Sequence, residues 1–256
     1  MSKVFTSANN DIISFGTPSA LQNVGGSPGS KTIMAWIYPT GWGGASYGRI
    51  WDKGTFQTNG WFFYVVDGDN VSEASATFRM VLGGTTQAQA TAVHDTLSLN
   101  KWWCVGGTYK PSDGGPRLWV GSLSAAMAEV SSYSGFGPRQ DVTSYGSDAG
   151  LTAYSGNRAA VDRGFDGRIE HLAVWDNALS SDQMEAVRIV TYPPRWRFSV
   201  AGTAVAVAGY WPFFESTASV ARDHTSNLNH GTVTGTTVGA SAAVMVRRGV
   251  MAQAAA

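Results

Sequence analysis

Short apolar runs recur along the chain, separated by clusters of Gly, Asp, Asn and Ser. Their length and β-branched or aromatic content predict strands at 11–15, 32–38, 49–53, 61–66, 76–82, 102–109, 117–120, 151–154 and 167–175. In Trp61-Phe62-Phe63-Tyr64-Val65-Val66 both faces are apolar, as expected of a strand in the middle of a sandwich. Asp67-Gly68-Asp69-Asn70 and Ser112-Asp113-Gly114-Gly115 have turn composition. One helix is predicted: Ser180 as N-cap and Gln183 three residues on form a capping box. Met184, Val187 and Arg188 continue it, and Tyr192-Pro193-Pro194 ends it, because proline cannot extend a helix. The pattern describes an all-β chain of short strands joined by turns, with one short helix.

Composition narrows the functional classes. The chain has 256 residues, 43% of them hydrophobic, enough to bury a sizeable core. Charged residues are only 14% of the chain, against about 25% in ordinary domains, and the formal net charge is zero. No basic stripe marks a nucleic-acid binder. No window approaches the length of a membrane span, and the first residues lack a signal-peptide pattern, so use without export is expected. The low charge leaves much neutral surface, as in an assembled protein. Cys104, the single cysteine, allows no intrachain disulfide and reads as a small buried hydrophobe.

Several stretches resemble the laminin G-like branch of the concanavalin A-like lectin/glucanase superfamily. They are Ile33-Met34-Ala35-Trp36-Ile37-Tyr38-Pro39, Ile50-Trp51-Asp52-Lys53-Gly54, the run from Asn100 to Tyr109, Leu118-Trp119-Val120-Gly121, and above all the run from Phe165 to Ser180. Order and spacing hold over about residues 10–190, so the resemblance implies an all-β, two-sheet antiparallel jelly-roll sandwich with one short helix, formed by residues 1–192. Residues 193–256 are expected either to complete it or to serve as an assembly arm. In relatives, the segment resembling 210–237 comes first; here it comes last. That arrangement is similar to proteins of tailed-phage virions, which implies a virion location after synthesis in the host cytoplasm, and capsid or tail proteins as partners.

The resemblance brings a glucanase into question. Glycoside hydrolysis needs two carboxyl groups flanking the scissile bond, which such enzymes set on alternate residues of one strand. None of Glu73, Glu129, Glu170, Glu185 and Glu215 has a carboxylate two residues away. Glu170, four residues after Asp166, is the nearest approach; its alternative role is a sheet-face carboxylate paired with Arg168 or a neighbour. His94, His171, His224 and His230 are scattered, and no nucleophile elbow occurs. No catalytic residue is assigned.

Two kinds of binding site are expected instead. Calcium, which relatives often hold in a rim loop, takes several oxygen ligands. Asp67, Asp69 and Asn70 offer three in four residues, although the same sequence suits a hairpin turn. Asp162 and Asp166 form a second such pair. Asp223, His224 and His230 read as a metal cluster or as a polar turn. For glycans, Trp42 and Tyr47 lie in a glycine-flanked loop, and Tyr133 and Phe136 in another. The alternative for Trp42 is an indole folded back onto the sandwich. The other strand tryptophans, Trp119 among them, read as core or sheet face. The functional expectation is a non-catalytic structural and adhesive virion component, homo-oligomeric and capable of binding glycans. A free lectin is the alternative, and a glycan hydrolase fits less well.

Overall fold

The computed structural model describes residues 2–24, 29–55, 58–67, 77–83, 88–93, 95–111, 113–132, 141–142, 146–189, 198–200, 203–205, 207–216 and 219–240. The strands in chain order are β1 (Ser2–Phe5), β2 (Ile12–Gly16), β3 (Lys31–Pro39), β4 (Arg49–Thr55), β5 (Asn59–Val66), β6 (Thr77–Leu82), β7 (Ala88–Ala92), β8 (Trp103–Tyr109), β9 (Arg117–Ser122) and β10 (Ala128–Glu129). They continue with β11 (Ser131–Ser132), β12 (Ala153–Ser155), β13 (Gly167–Trp175), β14 (Phe198–Val200), β15 (Thr203–Val205), β16 (Val207–Trp211), β17 (Val220–Ala221), β18 (Gly231–Thr234) and β19 (Thr237–Gly239). The α-helix, α1, spans Ser181–Ile189.

Two antiparallel sheets face each other. One runs β10-β9-β8-β3-β13-β1-β19, with β16 also on β13; the other runs β11-β7-β6-β5-β4-β12-β2-β18-β17. Every strand predicted from the pattern is present, displaced by a few residues at most. Beyond them, the 231–239 region forms two strands. Gly235, at φ +81°, turns the chain so that β18 pairs with β2 in one sheet and β19 with β1 in the other.

The space between the sheets is filled by aromatic and branched residues. Trp51 and Trp61 from neighbouring strands stand 5.3 Å apart, and Phe15 lies 4.2 Å from Trp211. Trp211 comes from β16, and its indole N–H donates to Asn229 O at 2.8 Å. The segment after the helix therefore supplies both core volume and strands. Fully buried side chains of this size contribute about 2–3 kcal/mol each relative to exposure.

β13 organises one sheet. It pairs with β3 along one edge; along the other it pairs with β1 at Gly167–Ile169 and with β16 at Leu172–Trp175. Between those halves the register shifts, and His171 adopts φ +52°. The extra residue resets the alternation, so Ile169, Leu172 and Val174 all face the core. Ala173 and Trp175 face outward, where α1 covers them with Met184 and Val187. Cys104 is buried in this second cluster. The capping box forms as predicted: Ser180 N donates to Gln183 Oε1 at 2.9 Å, and Gln183 N to Ser180 Oγ at 3.3 Å. Residues 190–197, including the expected stop at Tyr192-Pro193-Pro194, lie outside the described residues.

Candidate functional site: a strapped rim over the β4–β5 face

β4 and β5 pair so that Arg49 lies opposite Tyr64 and Asp52 opposite Phe62. Trp51 and Phe63, the pair between them, belong to the core, so the Arg49, Asp52, Phe62 and Tyr64 side chains fall on the outer face of the sheet. There Phe62, Tyr64, Val66 and Val81 form a small buried cluster, with Tyr47 packed against it. The Arg49 guanidinium sits 4.3 Å from the Tyr64 ring centroid and 2.9 Å from Asp52 Oδ2. Burial pushes the Asp52 carboxyl up to about 6, and the Arg49 and Arg158 charges oppose that rise.

Above this face, two loops are bound to each other through their backbones. Gly44 N donates to Gly164 O at 2.8 Å, and Arg49 N to Arg163 O at 3.0 Å. Within the first loop Gly48 N donates to Trp42 O at 2.9 Å, and Asp67 N reaches Ser46 O at 3.2 Å. Gly43 has φ +84°, and a β-carbon there would collide with the Gly164 carbonyl, so the close approach of the loops requires glycine. Ala45 and Ser46 then take left-handed conformations at φ 48° and 62°. Each costs about 1 kcal/mol or more and persists only because the surrounding bonds enforce it.

The strained turn delivers Tyr47 to the rim. Its ring meets Tyr64 edge-on at 6.0 Å, and the Arg163 guanidinium lies 4.8 Å from its centroid. Arg163 also donates to Ala45 O at 3.2 Å. Next to it Arg158 grips Asp162 through two nitrogens at 2.5 Å. That fork holds the Asp162 carboxyl below its ordinary range. Tyr47, Arg158 and Arg163 are partly exposed and Asp162 is exposed. The rim thus presents one phenol ring, two guanidinia and one carboxylate, all in fixed orientations.

The other predicted residues fall elsewhere. Trp42 is partly buried and packs against the main core. Tyr133, Phe136, Asp69 and Asn70 lie outside the described residues; Asp67 is described and partly exposed. Asp166 accepts from Ser7 N at 2.7 Å and from Ser7 Oγ at 2.9 Å, so it and Asp162 serve separate partners. Asp223 is a staple: it accepts from the backbone nitrogens of Tyr210, Thr225 and Asn229, while His230 Nδ1 accepts from Asp223 N. This is the polar-turn arrangement. Among the described residues no group of three His, Cys, Asp or Glu side chains is placed to hold a metal ion. Glu170 is fully buried on β13, opposite Trp36. Arg168 lies over the Tyr38 ring at 5.2 Å and donates to Ala240 O. Sequence reasoning missed Arg158 and Arg163; their signal was the Arg-x₃-Asp-Arg spacing beside the Phe165–Ser180 run.

A laminin G-type family model of the concanavalin A-like lectin/glucanases superfamily matches residues 10–185. The chain belongs to this superfamily. No curated protein matches the chain. Among solved structures, a candidate carbohydrate binding protein from Bacteroides ovatus superposes with a TM-score of 0.60 at 18% identity. That match covers 94% of this chain, which spans 60% of the length of the Bacteroides protein. A heptameric SAP-like pentraxin from Limulus polyphemus gives a TM-score of 0.45 at 16% identity, over 80% of this chain and 86% of its own. The enzymatically active domain of bacteriophage CBA120 tailspike protein 2 gives 0.49 at 15% identity, over 72% of this chain and 26% of its own. At 18% identity the likeness to the Bacteroides protein is one of fold. Among the described residues no helix is long and apolar enough to cross a membrane.

Proposed function

We propose that this chain is a non-catalytic glycan-binding module, and that it serves as an adhesive, self-associating component of a bacteriophage virion, with capsid or tail proteins as neighbours. The observation that carries the binding function is the rim: Tyr47 fixed by a strained, strapped turn, with Arg158, Arg163 and Asp162 around it. Sugars are recognised by aromatic surface together with planar polar groups that bond adjacent hydroxyls, and a pre-organised rim lowers the entropic cost of holding them. The virion role rests on the sequence alone: the resemblance and the low charge.

A glycan array probed with the purified chain, in calcium and again in chelator, tests the binding function. Saturable binding that falls at least tenfold in both Tyr47→Ala and Arg163→Ala supports it. An array that holds nothing, or variants that bind as the parent does, would sink it. Loss of signal in chelator alone assigns calcium to the site, with the 67–70 loop as its first candidate. Mass spectrometry of purified particles tests the virion role, which fails if the chain is missing from them.

A further inference from the structure

The opposite sheet carries a cleft that this reading does not use. It lies where the outer face of β8 and β9 meets the start of α1, and it has a volume of about 280 Å3. That is at the small end of ligand pockets, which span about 300–1,000 Å3, and suits one sugar ring better than a chain of them. Trp119 lines it, together with Thr108 from β8, Lys110, Asp113 and Arg117 from the β8–β9 hairpin, and Ser180, Ser181 and Gln183 at the helix start.

The indole is both accessible and fixed. Trp119 is only partly buried, although the tryptophans at 36, 102 and 175 on the same face are buried beside α1. Its Nε1–H donates to Thr108 Oγ1 at 3.3 Å, which locks the ring plane. The polar groups beside it are fixed as well. Arg117 sits between Asp113 at 3.4 Å and Glu129 at 3.0 Å, and Glu129 also accepts from Ser131 Oγ at 3.0 Å. The Arg117 guanidinium is already answered by two carboxylates, Asp113 and Glu129, so it offers an ionic ligand little uncompensated charge.

We infer that this cleft is a second binding site, and that its ligand class is a neutral pyranose whose apolar C–H face lies on the Trp119 indole. A flat aromatic surface matches the axial C–H face of a hexose. The Asp113 carboxylate and the Arg117 guanidinium, two planar groups of opposite hydrogen-bonding sense, match adjacent ring hydroxyls. The site is independent of the Tyr47 rim, because it lies on the other sheet and shares no residue with it. A module with two sites on opposite faces bridges two glycans, and tethering at one raises the effective concentration at the other.

Saturation-transfer NMR tests this, with methyl glucoside, methyl galactoside, methyl mannoside and N-acetylglucosamine as probes and sialic acid as the charged control. The expected result is saturable binding of at least one neutral probe, with none for sialic acid. In Trp119→Ala that binding falls more than tenfold, while Tyr47→Ala leaves it unchanged. Asp113→Asn, an exposed hairpin residue, is the second variant should Trp119→Ala fail to fold, and it is expected to weaken binding severalfold. The inference is overturned if no neutral probe binds, if sialic acid binds better than all of them, or if binding survives in the cleft variants. It is also overturned if Tyr47→Ala abolishes the signal, which would place the sugar at the rim.

Discussion

Single residues set the conditions under which the sandwich is stable. Lys31 and Lys53 are both fully buried near Asp148. Lys53 Nζ lies 3.1 Å from Asp148 Oδ1 and donates to Asp148 O at 2.6 Å. Burial lowers Lys31 from 10.5 to about 8, against the pull of Asp148 and with a smaller push from Lys53. The folded state therefore releases that proton earlier than the unfolded chain does. Between about 8 and 10.5 the unfolded state binds more protons, so stability rises with pH across that window; below it, both states are protonated and the penalty is constant. The displacement from 10.5 to about 8 corresponds to about 3 kcal/mol. Urea unfolding at pH 7, 8, 9 and 10 is expected to show the parent gaining stability relative to Lys31→Met as pH rises. Parallel curves for the two proteins would refute the assignment. Neither lysine was recognised in the sequence as buried, because Lys31-Thr32 and Lys53-Gly54 read as polar strand ends. Asp148, far away in the chain, is the carboxylate that answers both of them.

At the scale of elements, what was legible is what is encoded locally. The capping box of α1 is written in four consecutive residues, and both of its hydrogen bonds form. Ser180→Ala is expected to cost about 1 kcal/mol, read as a lower urea midpoint, with near-ultraviolet change from Trp36 and Trp175 beneath the helix. An unchanged midpoint would mean that packing alone holds α1. β7 was not legible: Ala88–Ala92 has little intrinsic strand preference, and pairing with β6 makes it a strand. The bulge at Glu170 and His171 was not read either, although this polar pair breaks the alternation of the run; in a strand with both faces covered such a break does not by itself mark a bulge. The same limit applied to the sites. Glycines at 43, 44 and 48 look like a loop opened for a ligand, and they serve two backbones in close contact. Trp42 packs inward from that loop. Trp119 sits in an ordinary strand, and only the hairpin and the helix start beside it make a cleft.

Across the whole molecule, closure depends on strands far apart in the chain. β16 fills the Leu172–Trp175 half of the β13 edge, β18 covers β2, and β19 covers β1. Ending the chain after residue 206 removes Trp211 from the core and leaves three strand edges unpaired. Unpaired edges template association with other chains, so the truncated protein is expected to aggregate or lack near-ultraviolet dichroism, whereas the full chain elutes as a discrete species. A truncated protein that folds cleanly would show the segment to be dispensable.

The pairing of β2 with β18 also sets a clock for biosynthesis. Gly16 ends β2 and Gly231 begins β18, so at about 5–20 residues per second the ribosome needs roughly 10–40 s to deliver the partner. For that interval the nascent chain carries β2 with this edge of its hydrogen-bond ladder unpaired. Its vulnerability is greatest before it is finished, and conditions that slow translation lengthen its dependence on chaperones rather than relieve it.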